Sequence, residues 1–162
     1  MTQAPAMGAQ ASGALVLDTN IVLDLLVFAD AAAQELLAPL QSGSVRWLAT
    51  APMRGELARV LDYAQIVPRL RYYGYSATQV LARYDALAQP VPVAPRAAVR
   101  CTDPDDQMFI DLAVAHRALL LSKDRAVLCM ARRLQALGAQ TRSQWGGAAA
   151  QATSDRASSP SI

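Results

Sequence analysis

The stretch Ala14-Leu15-Val16-Leu17-Asp18-Thr19-Asn20 decides the fold of this 162-residue chain. Four apolar residues are too few for a helix and polar residues follow at once, so the stretch predicts a short buried strand. A second run of this kind, Ala118-Leu119-Leu120-Leu121, ends at Ser122-Lys123-Asp124. A carboxylate beside the core is costly unless it is paired, and open α/β sheets bind ligands at the carboxyl ends of their strands. We therefore expect Asp18 and Asp124 to belong to a ligand-binding site.

Helical and strand patterns alternate along the chain between and around these two runs. A third strand is predicted at Val45 to Leu48. Helical patterns follow Asp18 and then occupy about 30–40, 50–63, 76–88, 103–117 and 125–137. Pro90, Pro92 and Pro95 predict an extended crossing, because the residue before a proline avoids the helical region. Strands that alternate with helices predict an α/β sandwich built on a parallel sheet.

The composition is that of one domain with a sizeable core, since 53% of the residues are hydrophobic and 17% are charged. The compositions of the two ends predict disordered tails at 1–13 and 143–162 and a folded domain at 14–142. No pattern of a signal peptide and no apolar run of 18 residues is present, so we expect no membrane span and a cytoplasmic location.

The basic residues and the cysteines are less informative than the acids. The net charge of +2 does not by itself imply nucleic acid, and Lys123 is the one lysine among 15 basic residues. Arginine suits phosphate recognition, but a GC-rich genome explains the same bias. Cys101 and Cys129 lack CxxC spacing, so we expect both to be reduced and structural.

Acidic residues at strand ends and helix starts predict a site for a hard cation, since such ions prefer oxygen ligands. Each acid also has a structural interpretation. Asp18 can cap the following helix, and Glu56 can lie on a solvated helix face near Arg59. Asp103, Asp105 and Asp106 fit a helix start with Pro104 in its first turn, although capping explains three acids poorly.

Four motifs in order resemble a PIN-domain ribonuclease over nearly the whole predicted domain. They are Leu15-Val16-Leu17-Asp18-Thr19-Asn20, the Arg54-Gly55-Glu56-Leu57 helix, Asp103-Pro104-Asp105-Asp106 with the helix after it, and Ser122-Lys123-Asp124. The branch that the chain resembles most contains VapC-like toxins of toxin–antitoxin systems. The resemblance implies a three-layer α/β/α sandwich with a central, mostly parallel sheet. It also implies a metal-dependent endoribonuclease that hydrolyses RNA phosphodiester bonds as the toxin of a type II toxin–antitoxin pair.

The resemblance also implies roles for particular residues. The catalytic and metal-binding acids would be Asp18, Glu56, Asp106 and Asp124, with Asp103 and Asp105 as alternates for the third ligand. Asn20 and Ser122 would support the site, and Mg²⁺ or Mn²⁺ would be the cofactor. Candidate contacts to substrate phosphate are Arg54, Lys123 and Arg125. The implied partners are RNA and an antitoxin protein, while a homodimer stays open.

Two other functions compete with this interpretation. In a phosphatase or phosphoacceptor domain Asp18 would be the nucleophile, but the second aspartate usual in that class is replaced by Asn20. A PIN-like module that binds RNA or protein without catalysis is the other alternative. The tyrosine-rich segment from Tyr63 to Tyr75 suits both stacking on unpaired bases and packing against a partner chain.

Overall fold

The sheet of this protein has five strands within residues 13–146, which are the residues that the computed structural model describes. The strands lie in the order β3-β2-β1-β4-β5, and all four pairings are parallel. Their bounds are β1 Ala14–Leu17, β2 Arg46–Ala49, β3 Ala88–Pro90, β4 Leu119–Leu121 and β5 Gln140–Arg142. The predicted tails fall outside the described residues except at Gly13 and 143–146.

Helices fill every connection between neighbouring strands of the chain. Their bounds are α1 Thr19–Leu26, α2 Ala31–Gln34, α3 Leu37–Ser42, α4 Ala51–Val60, α5 Val67–Tyr73, α6 Ala77–Leu87, α7 Gln107–His116, α8 Arg125–Leu128 and α9 Ala131–Ala136. A short 3₁₀ helix, Pro104–Asp106, precedes α7. None of these helices is long and apolar enough to cross a membrane.

The order of the strands explains the layers. The chain runs from β1 outward to β2 and β3, then returns past β1 to β4 and β5. Because crossovers between parallel strands are right-handed, the two directions place their helices on opposite faces of the sheet. The contacts agree, since α1 packs against α4 and α6, whereas α7 packs against β1 and β4. The predicted three-layer sandwich with a mostly parallel sheet is confirmed.

The two strands that the sequence predicts best are also the most deeply buried. Every residue of β1 and β4 is buried, as expected of central strands that are covered by helices on both faces. Trp47 of β2 is 1% exposed and contacts the ring of Tyr84 edge-on, with 4.9 Å between ring centroids. The core therefore fixes the register of the strand ends that carry the acids.

Two helices that the sequence predicts as continuous are each broken into two in the structure. The helix expected over 30–40 is broken between α2 and α3 at Glu35–Leu36. Pro39 explains this break, because its ring clashes with the carbonyl four residues earlier and it has no N–H to donate to that carbonyl. The helix expected over 125–137 is interrupted before α9 at Met130, which has φ −91° and ψ 5°.

Three elements escape the sequence prediction. They are the helix α5 and the two edge strands, β3 and β5. Each edge strand has three residues, which is too short for a period of two to be recognised. Pro90 also lies in β3, and proline within a strand is tolerated at an edge because no ladder hydrogen bond is lost there. The strand order, and with it the reversal at β1, could not be predicted from these segments.

Candidate active site

The candidate site lies where the strand order reverses, between the carboxyl ends of β1 and β4. Open α/β sheets form their ligand crevice at such a point, because the connections on the two sides diverge. The backbone N–H of Asp18 donates to the carbonyl of Leu121 at 3.1 Å, so the two strand ends lie directly side by side. Asp18, Ser122 and Asp124 therefore meet at one edge of the sheet, as the sequence predicts.

Asp18 is 4% exposed and both of its carboxylate oxygens accept hydrogen bonds. Oδ1 accepts from the backbone N–H of Asn20 at 3.1 Å and of Ile21 at 3.2 Å, so Asp18 does cap α1. Oδ2 accepts from the hydroxyl of Ser122 at 2.5 Å. Burial raises the pKa of Asp18, and these hydrogen bonds oppose that rise. The capping interpretation is thus confirmed, and it fixes the carboxylate in place at the site.

Ser122 connects the two strand ends. It is fully buried, donates through its hydroxyl to Asp18, and accepts at Oγ from the backbone N–H of Asp124 at 3.0 Å. The hydroxyl therefore fixes the position of the Asp18 carboxylate and the course of the backbone that leads to Asp124. The supporting role that the resemblance implies for this serine stays a prediction, and these two hydrogen bonds give it a physical basis.

We expect Ser122→Ala to lower the free energy of unfolding by about 1–3 kcal/mol, because a buried carboxylate oxygen and a buried N–H lose their partner. The pKa of Asp18 should also rise further, since a bond that stabilises its charged form is removed. Thermal unfolding and carboxyl NMR titration would measure both effects. Ser44→Ala, at an exposed serine, is the control and should change neither. Equal stability of the two variants would contradict the role given to Ser122.

Three carboxylates converge beside this pair of strand ends. Oxygen atoms of Asp103, Asp106 and Asp124 all lie within 4.8 Å of one another. Asp103 caps the 3₁₀ helix by accepting from the N–H of Asp105 at 3.0 Å, and Asp124 caps α8 by accepting from Ala126 at 2.9 Å. Asp106 is not held in this way, because its Oδ2 is buried and has no hydrogen-bond partner within residues 13–146.

The electrostatics of Asp106 set it apart from its neighbours. Burial, a hydrogen bond with Asp124 and the negative charges of Asp124, Asp103 and Asp18 raise the pKa of Asp106 to about 8. A carboxylate in this position is stable only if a proton or a cation compensates the surrounding negative charge. No lysine or arginine within residues 13–146 forms an ion pair with Asp18, Asp103, Asp106 or Asp124.

Asp105 lies in a different environment from Asp106, although the two residues are adjacent in the sequence. Asp105 is exposed and lies outside the three-carboxylate cluster. It is nevertheless close enough to Glu56 for its charge to raise the pKa of that glutamate. Of the two alternates for the third ligand, the structure thus brings Asp103 into the cluster and leaves Asp105 at its margin.

Glu56 lies on α4, close enough to Asp18 and Asp105 for their charges to act on it. Met53, Leu57 and Leu61 bury the predicted apolar face of this helix, and Glu56 lies beside that face and is half-buried. Burial raises its pKa most, followed by the charges of Asp105 and Asp18, while Arg59 and the hydroxyl of Thr19 lower it. Its Oε1 is buried without a hydrogen-bond partner within the described residues. Glu56 therefore lies at the edge of the solvated helix face, with one carboxylate oxygen buried.

The predicted phosphate contacts are held in different ways. Arg54 forms an exposed bidentate ion pair with Asp85, at 2.7 and 2.8 Å, which occupies its donors. Lys123 pairs with Asp24 at 2.5 Å. Arg125 is exposed at the start of α8, and Asn20 is exposed on α1. Asn20 and Lys123 line one cavity with Asp124, whereas Arg54 faces a separate cavity near β3.

Sequence reasoning missed two side chains that shape the approach to the site. Asp111 accepts from the N–H of Ala97 and from Nε2 of Gln107, each at 2.8 Å. Gln107 also donates to the carbonyl of Val99 and accepts from the N–H of Cys101. This pair, one turn apart on α7, therefore ties down the chain that leads into Asp103. Its i, i+4 spacing of acid and amide is the signal that could have revealed it.

The residues present fit a hard divalent cation. All converging ligands are carboxylate oxygens, which magnesium and manganese prefer. The orphaned oxygens of Asp106 and Glu56 are buried acceptors that a cation, or the water around it, would satisfy. Both cysteines are free; Cys101 is buried and Cys129 is exposed. The donor set thus favours magnesium or manganese over a thiolate-bound metal.

Comparisons with known proteins bear on the fold and the family of this chain. The structure of VapBC2 from Rickettsia felis, bound to a DNA fragment from their promoter, matches with a TM-score of 0.54 and 11% identity. The match covers 80% of this chain and 97% of that chain, and at this identity it shows the fold alone. No curated protein sequence matches. The family model described as PIN domain matches residues 14–126, from β1 through the acids of both strand ends to α8. Because this match spans well over half of the chain, the protein belongs to the PIN-domain family.

Proposed function

We propose that this protein is a metal-dependent endoribonuclease that cleaves single-stranded RNA. Membership of the PIN-domain family supports a nuclease. The observation that carries the proposal is the convergence of Asp103, Asp106 and Asp124 without any compensating basic side chain in the described part of the chain. A cluster of this kind suits a cation that binds a phosphodiester, because the cation relieves the repulsion and attracts the phosphate.

We assign the metal to Asp106 and Asp124, with Asp18 and Glu56 completing the catalytic acids and Asp103 as the additional ligand. Asp105 is less suited because it is exposed and outside the cluster. Bound magnesium or manganese would supply the positive charge that stabilises the scissile phosphate and activates water. Both of these ions accept an all-oxygen ligand set.

The side chains have separate tasks in this proposal. Asp106 would lose its proton on binding a cation, because burial and the neighbouring negative charges raise its pKa to about 8 in the protein without metal. Asp18, held by Ser122 and two backbone N–H groups, orients the cluster from the end of β1. Glu56 is the candidate proton acceptor, because its Oε1 has no partner within residues 13–146 and burial raises its pKa.

RNA is the substrate we favour, since exposed aromatic side chains suit unpaired bases. Tyr72 on α5 is 83% exposed, its neighbour Tyr73 is 41% exposed, and Tyr63 before this helix is 45% exposed. A phosphoacceptor role for Asp18 is less well supported, because both of its oxygens accept hydrogen bonds and its side chain is buried. A buried carboxylate that is held by three hydrogen bonds is poorly placed to attack a phosphoryl group.

The test is cleavage of labelled structured and unstructured RNA with magnesium, with manganese and with a chelator. We expect the unstructured RNA to be cleaved in either metal and to stay intact in chelator. Cleavage that survives full chelation would contradict the metal mechanism. No cleavage in either metal, by protein free of any partner, would favour the binding-module alternative.

We further propose that the chain is a cytoplasmic toxin of a type II toxin–antitoxin pair. The similar fold of VapBC2 supports this, because that structure contains the complex on DNA from their promoter. The expected partner is a small DNA-binding antitoxin encoded next to this protein, and a homodimer is also proposed. Growth arrest on induction of this chain, relieved by the neighbouring protein, would support the toxin role, and unaffected growth would contradict it.

A further inference from the structure

A second candidate site is a cavity next to the acidic cluster. Its lining includes one basic side chain that forms no ion pair with a carboxylate among the described residues. The cavity has a volume of about 390 Å³ and is lined by Asn20, Asp24, Phe28, Arg69, Lys123 and Asp124. Asp124 belongs both to this cavity and to the three-carboxylate cluster. If the scissile phosphate of an RNA strand lies at the cluster, the next nucleotide of that strand would therefore lie in this cavity.

The charges in the cavity lining leave Arg69 as the group open to an anion. Lys123 and Asp24 form an ion pair at 2.5 Å and offset each other. Asp124 belongs to the proposed metal site. Arg69 is exposed and forms no ion pair with any residue within 13–146. Its planar guanidinium presents several N–H donors, and that geometry matches the oxygens of a phosphate.

The guanidinium of Arg69 packs against an aromatic ring. Its central carbon lies 3.7 Å from the centroid of the Phe28 ring, which is the distance of a close cation–π contact. Tyr73 lies against the same ring, with 5.6 Å between the centroids. Phe28 thus covers one face of the guanidinium and leaves its edge donors for a ligand. A guanidinium that is held in advance loses less conformational entropy on binding.

We infer that Arg69, stacked on Phe28, binds the phosphodiester adjacent to the scissile one in a single-stranded RNA substrate. The inference rests on the proposed ribonuclease function and adds a substrate-positioning contact outside the acidic cluster. Arg69 would bind the phosphate in the ground state and the transition state alike. Its removal should therefore raise KM and leave kcat nearly unchanged.

The test compares Arg69→Gln with Arg71→Gln. Arg71 is exposed on the same helix, but residues two apart on a helix face different directions. Binding of a short fluorescein-labelled single-stranded RNA is followed by anisotropy over a series of salt concentrations, with calcium in place of magnesium. We expect Arg69→Gln to weaken binding about tenfold. The slope of log affinity against log salt should fall by about 0.7, as expected for one lost phosphate contact on a single strand.

A third variant separates charge from geometry. Arg69→Lys keeps the charge but loses the planar stack on Phe28, so it should retain the salt slope and recover only part of the affinity. Equal affinities and slopes for Arg69→Gln and Arg71→Gln would overturn the inference. Cleavage assays distinguish this failure from failure of the proposed function. If the unaltered protein cleaves RNA and Arg69→Gln has the same KM, only the Arg69 contact is wrong; if the unaltered protein never cleaves, the nuclease is wrong.

Discussion

Replacement of Asp106 by asparagine is expected to lower RNA cleavage by about a thousandfold or more, because a lost metal ligand removes several kcal/mol of transition-state stabilisation. The same change should make metal-free protein more stable above pH 8. Asparagine removes one negative charge from a cluster in which Asp106 has a buried oxygen without a hydrogen-bond partner among residues 13–146. A gain of about 1–2 kcal/mol in the free energy of unfolding is expected, which is the scale of one uncompensated buried group.

The pKa of Asp106 gives this stability effect its sign. The folded protein raises that pKa from 3.8 to about 8, so the folded state holds more protons than the unfolded chain between these two values. The stability of metal-free protein should therefore fall as pH rises from about 4 to about 8. Thermal unfolding in chelator across this range measures the fall, and Asp106→Asn should flatten it.

Asp105→Asn is the matched control, since Asp105 is the adjacent acid and is exposed outside the cluster. It should keep its activity and leave the pH dependence of stability almost unchanged. An active Asp106→Asn together with an inactive Asp105→Asn would move the third ligand to Asp105. Full activity of Asp18→Asn or Asp124→Asn would overturn the proposed site altogether.

Affinity for divalent metal should rise steeply with pH up to about 8. A cation has to displace the proton that Asp106 holds, so each unit below its pKa of about 8 should weaken binding by up to about tenfold. We expect the dissociation constant for manganese to be about 50-fold larger at pH 6 than at pH 8, where half of the carboxyl is still protonated. Calorimetry in two buffers with different heats of ionisation should show the release of nearly one proton per bound ion at pH 7.

Direct measurement of metal binding is essential to this prediction, because cleavage rates also depend on pH through the attacking water. Asp106→Asn should bind metal more weakly and lose most of the proton release. Ser44→Ala, at an exposed serine that is hydrogen-bonded to Ser42, should behave like the unaltered protein. Binding that is independent of pH between 6 and 8 would show that Asp106 is not a ligand.

The sequence predicts the parts of the site that lie on strongly patterned segments. Two short apolar runs that end in Asp18 and Asp124 are enough to place both acids at strand ends, since buried central strands have no polar face. Proline after Asp103 likewise predicts the helix start that carries Asp106. The weakly patterned edge strands and the break at Pro39 were not predicted, and the proposed boundaries of the tails stay a prediction.

Only the tertiary structure decides how these segments meet. The reversal of strand order at β1 brings the ends of β1 and β4 together, and no local pattern specifies which strands are neighbours. Burial then separates Asp106 from its neighbour Asp105, although both are acids in the same first turn. The stack of Arg69 on Phe28 joins residues 41 positions apart, one on α5 and the other in the connection between α1 and α2. The sequence identifies the candidate acids by their charge and spacing. Which of them can share a cation depends on desolvation and on the distances between them, and both depend on the whole fold.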